Sequence, residues 1–503
     1  MHIVWFKRDL RIYDHEALAQ AAKRDPVLPL YILEPDLWHQ PDMSYRHYLF
    51  LQDCLSELSQ ALGELGQKLI IKVGNAVGVL EELHECHSIE ILWSHQETWN
   101  GWTYARDKAV KRWCKSHNIL WHEPVQNGVV RRLDDRDGWA ARWYHQMTMP
   151  LIDRPLNLKT VKGIPIDVLP RYDELNLRRD ISSEIQKGGR IEGLKALNSF
   201  LYERGEKYTK EMSSPVTAFA SCSRLSAYLA FGTLSMREVF QACEKRNHEI
   251  KQMPRGQKGK WPSAMRSFLG RLRWHCHFIQ KLEDEPRIEF ENMHPAYDGL
   301  RENDFNNDYF EAWKSGMTGY TMIDACIRAL TATGWLNFRM RAMVMSFASY
   351  HLWLHWRKPA LHLANLFTDY EPGIHYSQVQ MQSGTTGINA IRTYNPIKQG
   401  VDQDPEGVFI RHWIPELREM DQEFIHAPWQ AASQMNGYPM PIIDEKTARK
   451  AAADELYGLR KNNTTHKEVA KKIVSKHGSR KSSLPRTAGK KKIKNVFQGE
   501  LPL

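Results

Sequence analysis

The sequence predicts an α/β N-terminal domain, built on a parallel, Rossmann-like sheet, followed by an all-α domain. Short β-rich runs alternate with helical stretches up to about residue 130, which argues for parallel strands covered by helices. Residues 131–190 break into Pro-rich and charged sequence, and from Ile191 the chain reads as a succession of helices. The expected organisation is an α/β domain over 1–130, a connector over 131–190, a helical domain over 191–440 and a basic extension over 441–503.

In the first domain the runs HIVWF, VLPLYIL, KLIIKV, IEILWS and NILWH predict strands, and YRHYLFLQDCLSELSQALGEL predicts a helix between the second and third. Domains of this kind bind ligands beyond the carboxyl ends of their strands. KRDLR follows the first strand where a dinucleotide-binding GxGxxG would stand, so that fingerprint is missing.

In the second domain SRLSAYLAFGTLSMREVFQACEKR, SAMRSFLGRLRWHCHFIQKLE and TMIDACIRALTATG predict helices. From Trp335 to Lys358 there is no Gly or Pro, and Ala, Met, Leu and Arg dominate, which predicts one helix of about 36 Å. That helix would carry Arg339 and Arg341 near its start. Near its end Trp353 and Trp356, three residues apart, would occupy neighbouring parts of one face.

Two polar segments are candidates for chemistry. SCSRLSAYLAFGTLS (221–235) sets small hydroxyl residues before a helix, an arrangement that serves either a phosphate or an ordinary helix cap. LFTDYEPGIHYSQVQMQSGTTGINAIRTYNP (366–396) is polar, poor in helical periodicity and set between apolar helices. It is either a long surface loop or the lining of a site whose polar groups meet a buried ligand. Asp369 and Glu371 are suited to accept from ribose hydroxyls or to pair with Arg339 or Arg341.

The totals bound the rest. A chain of 503 residues, 42% hydrophobic, can bury large cores in two or more domains. No run approaches the ~18 apolar residues of a membrane span, which predicts a soluble, cytoplasmic protein without membrane contact. The seven cysteines are never closer than 21 residues, so no local pair holds zinc or an iron-sulfur cluster. His275 and His277 flank Cys276 but would point to different sides of a helix, and no metal is expected. The net charge of +10 is concentrated late: between Arg460 and Lys494, 13 Lys and Arg stand against one acid, Glu468. That stretch is either a solvated tail or an arm for a polyanion.

MHIVWFKRDLRIYDHEAL at the start, Trp313 followed by TGYTMIDACIRALTATGW, then FRMR, and finally RTYNPIKQGVDQDPEGVFIRHWIPEL form an ordered set. That set resembles the cryptochrome/photolyase family over residues 1 to about 430. The resemblance implies an α/β antenna domain and a helical domain holding FAD in a U shape. It implies, for photolyases, that blue light drives an electron from fully reduced flavin into a pyrimidine dimer flipped out of DNA. By position, Tyr208 and Cys222-Ser223-Arg224-Leu225-Ser226 match the family's FAD-phosphate segment, and Asp369-Tyr370-Glu371 the acidic segment at the isoalloxazine and ribose. Arg341 matches the arginine paired with the first of those acids, and Trp356 the middle member of the tryptophan electron relay.

The sequence also departs from the family. The proximal relay position falls on Val379 and the distal one in GLRENDF, which has no Trp. Reduction therefore runs either through another route, with Tyr350, Tyr376, Trp353 and Trp356 as candidates, or from an external reductant. His375 stands where common photolyases set Asn against flavin N5, and a side chain that titrates near neutral pH there would change which redox state persists. In the dimer pocket Trp274 matches the aromatic that packs on the lesion, but Arg271 replaces an acid, Phe338 an asparagine and Met381 a second tryptophan. Arg271, Arg273 and Arg339 are suited to DNA phosphates. Trp102-Thr103 occupies the position of a folate-holding pair, leaving a deazaflavin, another flavin or an empty site for a second, antenna chromophore.

The expected function is a monomeric, light-driven photolyase-like flavoprotein acting on UV-damaged DNA. The alternative is a cryptochrome-type photoreceptor that signals through a partner without repair.

Overall fold

The computed structural model describes residues 1–24, 26–179, 184–461 and 464–478. Among them, the strands β1 (His2–Phe6), β2 (Val27–Leu33), β3 (Ile70–Val73), β4 (Ile91–Trp93) and β5 (Leu120–His122) form one parallel sheet. Its order is β3-β2-β1-β4-β5, so the strand order reverses between β1 and β4. All the predicted strands are present. Alternation splits their side chains: Ile3 and Trp5 join a core with Leu80 and Val110, whereas Val4 and Phe6 face the opposite way. That second core runs on without a break into Phe200, Phe240 and Phe268 of the helical half.

The predicted helix after β2 spans Tyr45–Glu64 and reaches across to the helical half. Arg46 Nη1 donates to the carbonyls of Leu330 and Leu366, and His47 Nε2 to that of Phe367 at 2.8 Å. The accepting carbonyls lie at the carboxyl ends of helices. The KRDLR segment adds a second seam: Leu10 N donates to Phe231 O, and Arg11 Nη1 to Gly232 O at 2.8 Å. Gly232 has φ +66, and a Cβ there would lie 2.1 Å from the Arg8 carbonyl, so this approach requires glycine.

The connector is not wholly irregular. Trp139–Thr148 is a helix that buries Trp139, Trp143 and Met147, a four-residue spacing that WAARWYHQM carries openly.

The long helix expected from Trp335 to Lys358 is instead broken. An α-helix spans Phe338–Ser346, a wider π turn covers Phe347–His351, and a new helix begins at Arg357. At the break Trp353 has φ +53, a left-handed conformation that costs a bulky residue ~1–3 kcal/mol. The Arg301 guanidinium, 4.3 Å over its ring, and the Tyr297–Tyr350 cluster hold it there. Trp353 and Trp356 consequently do not share a helix face.

The polar 366–396 segment is not a surface loop. It contains a buried helix, Pro372–Ser383, with Pro at its first position and Gly384 at φ +75 closing it. After residue 440 the helices Glu445–Arg460 and Thr464–His477 pack on the helical half, through Leu456 against Tyr350 and through Ile473 against Leu282. The basic stretch after Gly478 lies outside the described residues. No helix among the described residues is long and apolar enough to cross a membrane.

Candidate functional site

A cavity of about 300 Å³ opens in the helical half. Three helices give it one face each. Phe338, Arg341, Ala342 and Met345 come from the helix beginning at 338, and Phe268, Arg271, Leu272 and His275 from Trp261–Asp284. Ile374, His375, Gln378, Val379 and Gln382 come from Pro372–Ser383. Apart from Ile374, these fall at the i, i+3, i+4, i+7 spacings of a single helix face.

At one part of the wall stand Tyr208 and Cys222, Ser223, Arg224, Leu225 and Ser226. Arg204, which sequence reasoning did not select, donates to the carbonyls of Ala220, Cys222 and Ser223 and ties the segment down. Arg224 has φ +60 and lies 4.2 Å over the Trp335 ring. Burial lowers its pKa to about 10, against the pull of Asp369, which leaves it charged at neutral pH.

The acidic segment enters from another side. Arg341 Nη2 donates to Asp369 Oδ2 at 2.8 Å, and Arg341 Nε to the Leu336 carbonyl at 2.8 Å. Burial, the largest single effect, would raise the Asp369 pKa, but the Arg341 charge and hydrogen bond, with Ser226 and Arg224, together outweigh it and keep the carboxyl below its usual range. Tyr370 lines the cavity and donates to Asp42 Oδ2 at 2.7 Å. Glu371 behaves differently: burial pushes its pKa up to about 8 despite Arg8, so it carries a proton at neutral pH.

His375 also lines the cavity, but not as the neutral-pH switch expected. Its Nε2 donates to the Ala360 carbonyl at 2.9 Å, which leaves Nδ1 as the acceptor. Burial lowers its pKa to about 4, so it is neutral near pH 7 and has no second proton to give.

Of the substrate candidates, Arg271, Trp274 and Phe338 line the cavity. The Arg271 guanidinium lies 5.2 Å over the Phe338 ring, and Trp274 stacks on Phe278 at 5.5 Å. Arg339 and Met381 are not in the lining. Each is next to a lining residue and so turned about 100° away from it. Arg339 Nη1 points to Gln399 at 3.5 Å, and Met381 is buried elsewhere. Trp353 and Trp356 are also outside the lining. Trp356 is fully buried, donates to Asn292 Oδ1 at 2.8 Å, and meets Tyr376 edge-on at 6.2 Å.

The cavity wall holds polar atoms without partners: Asp369 Oδ1, Glu371 Oε1, His275 Nδ1, and the Nε2 atoms of Gln378 and Gln382. A buried polar atom left alone costs about 1–3 kcal/mol, so this wall is built for a ligand that carries both donors and acceptors. The two glutamines, four apart on one helix, were visible in the sequence but hidden by the absence of apolar periodicity around them. FAD fits this donor and acceptor set.

The crevice at the carboxyl ends of β1, β2 and β4 is filled otherwise. Lys7 pairs with Asp107 at 3.1 Å, and Arg106 pairs with Glu34 at 2.9 Å, with Asp107 at 2.8 Å and with Glu97. A cavity of only about 30 Å³ adjoins them, lined by Lys7, Arg8, Glu97 and Glu371 among others. Trp102 and Thr103 sit on the helix Gly101–Ser116 next to this network. A second, antenna chromophore in this crevice would have to displace these paired side chains. Among the described residues one group, Asp9, His15 and His95, has metal-ligand spacing. His15 Nδ1 accepts from Leu18 N, so its proton is on Nε2, 3.0 Å from Asp9 Oδ2, and His95 Nδ1 lies 2.8 Å from the same oxygen. Of the two imidazoles, His95 hydrogen-bonds the carboxylate, whereas His15 Nε2 lies beside it without making a hydrogen bond.

Comparison with known proteins agrees with this geometry. Residues 2–144 match the family model described as DNA photolyase, and residues 268–457 the one described as FAD binding domain of DNA photolyase. A deoxyribodipyrimidine photo-lyase of Streptomyces griseus is 28% identical over 89% of this chain and 97% of its own length. Cryptochrome-2 of Arabidopsis thaliana is 28% identical over 90% of this chain and 78% of its own length. A bacterial class III photolyase from Agrobacterium tumefaciens superposes with a TM-score of 0.79 at 25% identity, covering 92% of this chain and 98% of that one. An archaeal photolyase from Sulfolobus tokodaii with two FAD molecules gives 0.76 at 25% identity, covering 91% of this chain and 100% of that one. The chain belongs to the cryptochrome/photolyase family.

Proposed function

We propose that this protein is a light-driven, photolyase-like flavoprotein that binds FAD in the helical cavity and repairs UV-induced pyrimidine dimers in DNA. The observation that carries the proposal is the set of unpartnered polar atoms in the cavity wall, beside the Arg341–Asp369 pair. Tyr208 and Cys222–Ser226 hold the phosphates of FAD, and Asp369, Tyr370 and Glu371 meet its ribose and ring system. When bound, reduced FAD supplies an electron to the dimer on excitation by blue light. The chain's own share is placement and electrostatics: Arg341 balances Asp369, Glu371 keeps a proton, and His375 offers only an acceptor. Trp274, Phe338 and Arg271 form the substrate side, with the guanidinium available to a phosphate. We place the protein in the cytoplasm as a monomer.

A cryptochrome-type photoreceptor is the second reading. The displacement of Arg339 and Met381 from the cavity wall favours it, because two of five candidate substrate contacts are lost. Protein with chemically reduced FAD, given cyclobutane-dimer and (6-4) substrates in single and double strands, separates the two. Light-dependent reversal, absent in the dark, supports repair; intact flavin without reversal supports the photoreceptor.

A further inference from the structure

We infer that Tyr370 and Tyr376, with Asp42 of the α/β half as proton acceptor, form a tyrosine relay that carries electrons from Trp356 to the cavity. The inference rests on the flavin reading above. Trp356, Tyr376 and Tyr370 are at most 3% exposed and follow one another, at ring separations of 6.2 Å and 6.5 Å. The Tyr370 and Tyr376 hydroxyl oxygens are 3.3 Å apart. Since Tyr370 donates its proton to Asp42 at 2.7 Å, Tyr376 donates to Tyr370, and the chain of hydrogen bonds ends on a carboxylate. Asn100 Nδ2, 3.3 Å from the same Asp42 oxygen, orients it.

Geometry explains why the carboxylate matters. A phenol that loses an electron becomes strongly acidic, and in a buried site it keeps the hole only if a base takes the proton. Burial and the Asp42 charge hold Tyr370 as a neutral phenol, so the proton is present to be moved. Tyr370 gives one electron to a one-electron oxidant in the cavity, which on the flavin reading is light-excited oxidised flavin. Its proton crosses to Asp42, leaving a neutral tyrosyl group and a carboxylic acid. Tyr376 then restores Tyr370 by passing its own hydroxyl hydrogen, and Trp356 returns an electron to Tyr376 while the Asp42 proton moves back along the same bonds. The net change is one electron leaving Trp356 with no net proton transfer; a thiol in solution replaces that electron. Val379, aliphatic, cannot carry a hole, and a cation on Trp353 would face Arg301 at 4.3 Å.

The test uses full-length protein under blue light with a thiol, after flavin content has been measured by absorbance. Tyr370→Phe, Tyr376→Phe and the near-isosteric Asp42→Asn should each slow flavin bleaching at least tenfold. Wild-type bleaching should slow in D2O, and Asp42→Asn should abolish that isotope effect. Freeze-trapped wild-type protein should show a neutral tyrosyl radical by electron paramagnetic resonance. Normal flavin content with unchanged bleaching in all three variants, or a signal only from tryptophan, overturns the relay. Wild-type protein that takes up no flavin overturns both the relay and the flavin reading, and flavin content tells these failures apart.

Discussion

Arg341 Nη2 and Asp369 Oδ2 meet at 2.8 Å on the cavity wall, with the guanidinium also 3.9 Å over the Phe367 ring. The carboxylate is 5% exposed, so removing the arginine leaves a buried charge uncompensated, a loss of about 3–5 kcal/mol in comparable pairs. Arg341→Ala and Asp369→Ala are each expected to purify without FAD. The ratio of flavin to protein absorbance checks this, and full flavin in both variants would remove the pair from the cofactor site.

Glu371 predicts a pH dependence with a definite sign. Its carboxyl is raised to about 8 in the folded chain, against about 4.3 when unfolded. Between those values the folded chain keeps a proton that the unfolded chain has released, so stability falls as pH rises through the window. The effect is on the order of a few kcal/mol for a fully buried group. Glu371→Gln should flatten it, so that its melting temperature exceeds that of wild type increasingly from pH 5 to pH 9. Thermal melts of cofactor-free protein across that range give the answer, and parallel curves would show that Glu371 ionises freely.

The strands and most helices were legible because their apolar patterns are local: HIVWF is a short apolar run, buried on both faces, and TMIDACIRALTAT repeats at helical spacing. Two features were not. Nothing in FASYHLWLHW announces the π turn and the left-handed Trp353, because the gain comes from distant partners, Arg301 and Asn292, that the local sequence does not contain. The helix Pro372–Ser383 escaped for the opposite reason. It is buried, yet polar: Ser377 and Gln380 meet backbone groups, the Phe278, Ile288 and Glu291 carbonyls, and Gln378 and Gln382 face the cavity. The candidate cofactor residues could be placed from family motifs, whereas Asp42, which depends on the packing of the two halves, could not.

The charge network at the sheet's carboxyl edge bears on a second chromophore. Lys7, Glu34, Arg106 and Asp107 are each no more than 9% exposed and already paired, so a ligand there would have to break several buried ion pairs. Asp369→Ala is therefore expected to release all the flavin the protein carries, not half of it. Retention of about one flavin for every two in wild type would locate a second molecule outside the helical cavity.

The last prediction separates charge from packing at the C-terminus. Residues 479–503 carry seven Lys and Arg against one acid, whereas 464–477 is a docked helix. His477 Nε2 lies 2.5 Å from Glu285, and Ile473 packs against Leu282, Ile288 and Met293. Deleting 479–503 should leave the melting temperature and flavin content unchanged. If the segment is a DNA arm, it should also lower the salt slope of DNA binding by up to about five, at ~0.9 per neutralised phosphate. Deleting from 461 onward should add a loss of stability, because the buried faces of Tyr297 and Ile288 would be uncovered. A salt slope unchanged by the shorter deletion would assign DNA binding to Arg271 and its neighbours at the cavity, and the basic residues after Gly478 would have no part in it.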